Sequence, residues 1–96
     1  LLGEEAIARA TTEQCQRVDQ VLMTPMRWGC GFMLRSDSMP LGPNARTFGH
    51  GGAGGSLGIA DMDAKLSWAY VMNRMDATTT GDVRGASVGL SLYGCL

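Results

Sequence analysis

The residues that could carry chemistry are concentrated in one glycine-rich segment, residues 48–56, with the sequence FGHGGAGGS. This segment holds the only histidine of the chain, His50, and a serine, Ser56. A histidine can hold or transfer a proton near neutral pH, and a serine hydroxyl becomes a nucleophile when a base lies beside it. Glycines let a substrate approach the backbone without a clash from a Cβ atom. The segment is therefore the first candidate for a catalytic or binding site.

Two phosphate-binding motifs can be compared with this segment, and neither is supported by the surrounding sequence. Gly49, Gly51 and Gly54 fit GxGxxG, but a dinucleotide site needs a helix directly after the glycines. Here SLGIAD follows, which predicts a strand and then a turn, and no acidic residue stands about 20 positions further on at the end of a second strand. A Walker loop is excluded because the chain has no GK[ST]. We therefore expect no cofactor.

A nucleophile-elbow pattern, GxSxG, surrounds Ser56, and His50-Gly51-Gly52 resembles the HGG of lipase oxyanion loops. In α/β-hydrolases, however, the serine precedes its aspartate and histidine along the chain, and a helix follows it. Here the histidine comes before Ser56, and the residues after Ser56 predict a strand. An α/β-hydrolase piece that uses Ser56 stays as an alternative interpretation.

The elements that must position this segment predict an α+β fold. Strands are expected over 26–35, 47–60 and 66–73, which gives an antiparallel sheet of about three strands, the last two paired as a hairpin. Residues 13–24 fit either a short helix or an ordered loop.

Helices are expected to flank the sheet at both ends of the chain. Residues 4–10 are good helix formers with glutamates in the first turn, and residues 82–95 predict a second helix capped by Asp82. The two glycines inside the second helix, Gly85 and Gly89, cost about 1 kcal/mol each relative to alanine. The face expected to pack is formed by Val83, Ala86, Leu90 and Tyr93.

Composition excludes several classes of function. The net charge is −1 and no basic stripe occurs, so we expect no nucleic-acid partner. No run approaches about 18 apolar residues, so we expect no membrane span. The chain has three cysteines, Cys15, Cys30 and Cys95, with no CxxC motif, and a single histidine. Because a structural zinc site needs about four ligands with paired spacing, we expect no metal site and three buried thiols.

Residues 48–75, FGHGGAGGSLGIADMDAKLSWAYVMNRM, resemble the third-motif region of the β-lactamase / penicillin-binding-protein family. More narrowly, they are similar to class-C-like β-lactamases and related esterases. In that family a Lys-Thr-Gly or His-x-Gly triplet opens a sheet strand beside the nucleophile, and His50-Gly51-Gly52 falls on the triplet. Upstream, RWGCGFML (27–34) resembles a strand of the family, and DVRGASVGLSLYGCL (82–96) fits its C-terminal helix.

The resemblance implies a serine hydrolase that acts through an acyl-enzyme on a small ester, a β-lactam or another amide. The residue after the triplet gives an oxyanion N–H, which here is the backbone N–H of Ala53. His50 would help to bind the substrate or support proton transfer, and Gly51 and Gly52 would line the substrate-binding site. Because His50 stands where the family has lysine, its charge is weaker and depends on pH. An ester is therefore at least as well suited as an acidic β-lactam.

The family nucleophile is absent from this chain. It lies in Ser-x-x-Lys, and no serine here has lysine three residues on. Neither Tyr70 nor Tyr93 begins the family's Tyr-x-Asn/Ser element. We therefore expect residues 1–96 to form the C-terminal part of a single, incomplete domain that needs the remainder of that domain for activity. A non-catalytic binding or structural module on the same fold stays as a second alternative.

Overall fold

A computed structural model describes all 96 residues as two helices that flank one antiparallel sheet. The elements are α1 (Glu4–Thr11), β1 (Cys15–Val18), β2 (Pro25–Trp28), β3 (Met33–Leu34), β4 (Thr47–Gly51), β5 (Leu57–Asp61), β6 (Leu66–Tyr70) and α2 (Val83–Tyr93). Each strand pairs with the next along the chain, in the order β1-β2-β3-β4-β5-β6. The α+β fold with flanking helices is confirmed, but the sheet has six strands instead of about three.

The predicted strand over 26–35 is divided into β2 and β3 by a turn. The Gly29 N–H closes this turn by donating to the Phe32 carbonyl at 2.9 Å, and Gly31 has a φ of 81°. Gly29 also lies so close to the Ala10 carbonyl at the end of α1 that no Cβ atom would fit. These two glycines therefore let the chain reverse between β2 and β3.

The predicted strand over 47–60 is likewise divided, into β4 and β5. Gly54 and Gly55 have φ values of 84° and 115°, in a region that residues with a Cβ atom rarely adopt. The backbone therefore turns over residues 52–56, and β4 pairs with β5 as a hairpin. The hairpin expected with residues 66–73 corresponds to β5 and β6, which are antiparallel.

The ambiguous residues 13–24 contain a strand, β1, and the turn that joins it to β2. This turn is held by Asp19, whose carboxylate accepts the N–H of Val21 at 2.8 Å and that of Leu22 at 2.9 Å. An aspartate that accepts from the backbone two or three residues later stabilises a tight turn in place of a helix.

Helix α2 begins as predicted, with Asp82 as its N-cap. The predicted packing face is only partly correct. Tyr93 is half-buried and donates its hydroxyl to Asp61 Oδ2 at 2.8 Å. Val83 and Leu90, however, are 77% and 75% exposed. They line an open groove of about 650 Å³ between α2 and the loop around Pro40.

The face of α2 that meets the sheet is formed by Gly85 and Gly89, which are its buried residues. A Cβ atom at Gly85 would lie 2.6 Å from Leu57 Cδ1, and one at Gly89 would lie 2.7 Å from Trp68 Cζ2. Both distances are far inside van der Waals contact. The two glycines weaken the helix in isolation, but they allow its backbone to pack directly on β5 and β6.

The apolar core is small and lies in the middle of the sheet. Its buried hydrophobic residues are Met26, Met33, Leu34 and Ile59. The cysteines lie outside this core: Cys30 and Cys95 are exposed and Cys15 is half-buried, so the prediction of three buried thiols is wrong. Neither helix has the length and apolar character needed to cross a membrane.

One carboxylate, Asp61 at the end of β5, is almost completely buried, with 1% of its surface exposed. No cation contacts it. It accepts hydrogen bonds of 2.8 to 3.1 Å from the backbone N–H groups of Asp63 and Ala64 and from the side chains of Asn44, Thr47 and Tyr93. Burial raises the pKa of Asp61, but these hydrogen bonds outweigh burial and hold its pKa below the ordinary value of 3.8.

We predict that Asp61→Asn lowers the free energy of unfolding by about 2–4 kcal/mol, because an amide NH₂ would face hydrogen-bond donors in a buried position. Urea unfolding followed by tryptophan fluorescence measures the change. Asp63→Asn is the matched control, since Asp63 is exposed, lies 3.8 Å from the exposed guanidinium of Arg46, and accepts the Arg46 backbone N–H at 3.1 Å, which an amide oxygen can still do. The control should change stability by less than about 1 kcal/mol. Equal losses in the two variants would contradict the role given to Asp61.

We also predict a specific acid sensitivity. The folded-state pKa of Asp61 is lower than its unfolded-state value, so ionised Asp61 stabilises the fold above the unfolded-state pKa. That contribution is lost as the pH falls through the folded-state pKa. The free energy of unfolding should therefore decline below about pH 5 in the wild type and decline less steeply in Asp61→Asn. Parallel pH profiles for the two proteins would refute this assignment.

Candidate functional site

His50 lies near the end of β4 and is exposed to solvent. Its Nδ1 lies 2.6 Å from the carbonyl oxygen of Gly51. A carbonyl oxygen can only accept, so Nδ1 carries the proton in this geometry. The centroid of the His50 ring is 5.6 Å from that of Trp28, with the planes tilted by 45°. The ring is thus held on two sides, and Nε2 is the nitrogen left to meet a ligand.

Gly51 ends β4 at a place where two backbone segments cross. It is buried, and a Cβ atom there would lie 2.8 Å from the carbonyl carbon of Thr80 and 3.0 Å from the nitrogen of Gly81. Backbone atoms cannot move aside as a flexible side chain can. Only glycine therefore lets β4 end against the segment that leads into α2.

The turn after β4 fixes the direction of one peptide group. The Gly52 carbonyl accepts the N–H of Gly55 and that of Gly81, both at 3.2 Å. All peptides in the chain are trans, and in a trans peptide the C=O and N–H point in opposite directions. The N–H of Ala53 belongs to the same peptide plane as the Gly52 carbonyl. It therefore points away from Gly55 and Gly81.

Ala53 is exposed, and its N–H donates to no acceptor in the protein. The N–H groups of Gly52, Gly54 and Gly55 in the same turn are all satisfied internally. The sequence prediction put Ala53 on a continuous strand, whereas it lies in the turn that follows β4. The positive φ angles of the two glycines after it account for the difference.

The turn is anchored to the loop before α2 and to α2 itself. The Gly54 N–H donates to the Thr78 carbonyl at 2.9 Å, and the Gly54 carbonyl accepts the N–H of Asp76 and Nη2 of Arg84, both at 3.1 Å. Arg84 also forms an ion pair with Asp82. The pKa of Asp82 is held below its ordinary value, and the largest cause is the hydrogen bonding from the Arg84 side chain.

Sequence reasoning identified Asp82 only as a helix cap and did not single out Arg84. No local signal could have connected Arg84 with this turn, because Arg84 and Gly54 are 30 residues apart in the chain.

Ser56 does not have the surroundings of an elbow nucleophile. Strand β5 follows it where a helix would be required, and its hydroxyl packs against the α-carbon of Gly52. His50 directs Nδ1 to Gly51 and forms no hydrogen bond with Ser56. The α/β-hydrolase alternative is therefore wrong for this fold.

The segment thus offers an outward N–H at Ala53 and an exposed imidazole at His50, three residues earlier. The Ala53 N–H can donate to an oxygen atom that carries negative charge, whereas Nε2 of His50, with the proton on Nδ1, is a hydrogen-bond acceptor. The segment includes no nucleophile with an adjacent base. No group of three or more His, Cys, Asp or Glu side chains is placed to hold a metal ion.

Comparison with known proteins identifies the family. The sequence profile of the Beta-lactamase family matches residues 1–92. The crystal structure of a family VIII carboxylesterase is 45% identical with a TM-score of 0.88, over 96% of this chain and 25% of that chain. A search of curated proteins gives no significant match.

Two further solved structures agree. A penicillin-binding protein homolog from Caulobacter crescentus is 38% identical with a TM-score of 0.89, over 96% of this chain and 25% of that chain. EstA from Arthrobacter nitroguajacolicus Rue61a is 32% identical with a TM-score of 0.79, over 98% and 26%. The chain spans about a quarter of the length of each of the three structures. Because the profile match extends over almost the whole sequence, the resemblance is confirmed, and this chain belongs to the Beta-lactamase family.

Proposed function

We propose that this chain is the C-terminal part of a serine hydrolase that cleaves a small ester, a β-lactam or another amide through an acyl-enzyme. The nucleophile would come from a Ser-x-x-Lys segment outside residues 1–96, within a longer protein that we call the parent protein. The observation that carries the proposal is the outward, unpaired N–H of Ala53, directly after His50-Gly51-Gly52 in a turn whose Gly52 and Gly54 carbonyls are both hydrogen-bonded.

The proposed role of Ala53 follows from the charge that develops during acyl transfer. When the serine oxygen adds to the carbonyl carbon, the carbonyl oxygen becomes negative. The C–O or C–N bond of the substrate then breaks and the leaving oxygen or nitrogen takes a proton; an alcohol or an open-chain amine departs, whereas the nitrogen of a β-lactam stays attached through the rest of the opened ring. Water then hydrolyses the acyl group. An N–H that already points at this oxygen lowers the barrier without reorganisation. The Ala53 N–H has no internal acceptor to give up, so it is available to this oxygen from the start.

His50 would contact the substrate through Nε2, beside a backbone that Gly51 and Gly52 leave open to close approach. A lysine at this position would carry a permanent positive charge for an acidic β-lactam, whereas histidine offers only a pH-dependent one. Similarity to a carboxylesterase also favours an ester as the first substrate to test.

The remainder of the parent protein would cover the groove beside α2. This groove is open along one side and is lined in part by Val83 and Leu90, both largely exposed. Apolar surface of this kind is usually buried against another part of a protein. About three-quarters of the length of the similar structures lies outside the matched region, which is ample chain to fill it.

We predict that residues 1–96 alone do not hydrolyse a p-nitrophenyl ester or a chromogenic β-lactam, whereas the parent protein hydrolyses the ester. Replacing the serine of its Ser-x-x-Lys by alanine should abolish turnover, while Ser56→Ala should leave kcat unchanged. Release of p-nitrophenol measures ester hydrolysis by the wild type and by both serine variants, and the colour change of the β-lactam measures its hydrolysis. Clear hydrolysis by the isolated chain would refute the proposal. A parent protein that binds the ester without hydrolysing it would instead support a non-catalytic module.

We predict that Ala53→Pro lowers kcat of the parent protein by about 10²–10³-fold, because proline removes the N–H that the proposal assigns to the oxyanion. Ala53 does not have a positive φ, so the substitution does not require a left-handed residue. Ala53→Ser keeps the N–H and is the matched control, with kcat expected within about threefold of the wild type. Equal kcat for the two variants would remove Ala53 from the mechanism.

A further inference from the structure

Arg84 connects the start of α2 with two separate segments. Its Nη2 donates to the Gly54 carbonyl at 3.1 Å, its Nη1 donates to the Arg74 carbonyl at 2.9 Å, and its Nε donates to Asp82 Oδ2 at 2.9 Å. A guanidinium is planar and presents its donors in a fixed fork. Because three acceptors use one rigid group, the turn after β4, the loop after β6 and the helix start cannot shift independently.

Asp82 orients this guanidinium. Its side chain is only 3% exposed, and its Oδ1 accepts the N–H of Arg84 at 2.8 Å and that of Gly85 at 3.3 Å. The same carboxylate contacts the place where a Cβ atom of Gly55 would stand, so the turn packs directly on it. The cap of α2, the ion pair and the turn are therefore one packed unit.

The peptide that carries the free N–H is bounded by this unit on both sides. On one side the Gly52 carbonyl is held by Gly81, which directly precedes Asp82. On the other side, two peptide groups further along the chain, the Gly54 carbonyl is held by Nη2 of Arg84 and by the N–H of Asp76. Ala53 is exposed, and its methyl side chain has no hydrogen-bonding group that could fix its peptide. Its orientation therefore depends on the residues that hold its neighbours.

We propose that Arg84, oriented by Asp82, is a positioning residue that aims the Ala53 N–H into the substrate site. The inference rests on the proposed function, since it concerns the donor that the proposal assigns to the oxyanion. Arg84 acts through the turn, and nothing in its geometry requires it to touch the substrate.

The test compares Arg84→Met, Arg84→Lys and Arg17→Met in the parent protein. Arg17 is exposed on β1 and its side chain forms no hydrogen bond or ion pair, so it controls for the loss of one arginine. Active sites are counted by stoichiometric labelling with a fluorophosphonate, so that kcat is measured per functional site. The backbone amide resonance of Ala53 reports the turn directly.

We expect Arg84→Met to lower kcat by about 10- to 100-fold with KM changed less than about threefold, because a misaimed donor weakens transition-state binding more than substrate binding. Arg84→Lys can reach only part of the acceptor set and should give an intermediate kcat. The Ala53 resonance should move in both Arg84 variants and stay in place in Arg17→Met.

An unchanged kcat per labelled site in Arg84→Met, together with an unmoved Ala53 resonance, would overturn the inference even if the protein were less stable. A moved resonance with an unchanged kcat would also overturn it, because the turn would then not govern catalysis. If the wild-type parent protein labelled with fluorophosphonate but failed to turn over any ester or β-lactam, the proposed function would fail first, and this inference with it.

Discussion

The Gly52 carbonyl is the acceptor on which the geometry of the candidate site depends. Its two donors, Gly55 and Gly81, come from the turn itself and from the segment that enters α2. Because a peptide is planar, holding this oxygen also fixes the N–H on its far side. The free donor at Ala53 is thus directed by contacts that Ala53 does not make. A surface turn would ordinarily be mobile, and this one is constrained because its carbonyls are used by the rest of the fold.

Close approach of backbone to backbone is the means by which these contacts are reached. Gly51 meets the segment 80–81, Gly55 meets the Asp82 carboxylate, and α2 meets the sheet through Gly85 and Gly89. Each position has room for a hydrogen atom and none for a methyl group. The high glycine content is therefore a packing requirement of this region, which brings the end of β4, the turn and the start of α2 into one layer.

Local features of the fold could be predicted from the sequence. The cap at Asp82 reaches only as far as Gly85, three positions later, and α2 and β6 follow from helix propensity and from the apolar pattern of the sequence. The division of residues 47–60 into two strands could not be predicted, because a glycine-rich strand and a glycine-rich turn have the same composition until their φ angles are known. The prediction of the packing face of α2 is only partly correct, with Tyr93 packed and Val83 and Leu90 exposed, for a related reason. Apolar periodicity identified the residues that line the groove, while the sheet is met by glycines that carry no hydrophobic signal.

The candidate site was predictable to the extent that it follows a motif. His50 and Ala53 are proposed as site residues through the His-Gly-Gly triplet, whose members are adjacent in the sequence. Arg84 was not found, since its contact with Gly54 spans 30 residues and only the folded chain brings the two together. The same holds for Asp61, whose side-chain donors lie 14, 17 and 32 residues away.

Asp61 also helps to determine the register in which β4 pairs with β5. Strands β4 and β5 contain three glycines, Gly49, Gly51 and Gly58, so few side chains distinguish the native pairing from one shifted by a residue. A shift of one residue would turn the Asp61 carboxylate to the opposite face, away from its donors, and would leave those donors unpaired as well. The misaligned hairpin would thus be destabilised in two ways by a single residue, through the carboxylate that loses its donors and through the donors that lose their acceptor. A buried carboxylate in a sheet with few side chains can in this way serve as a marker of correct pairing, in addition to any stability that its hydrogen bonds provide.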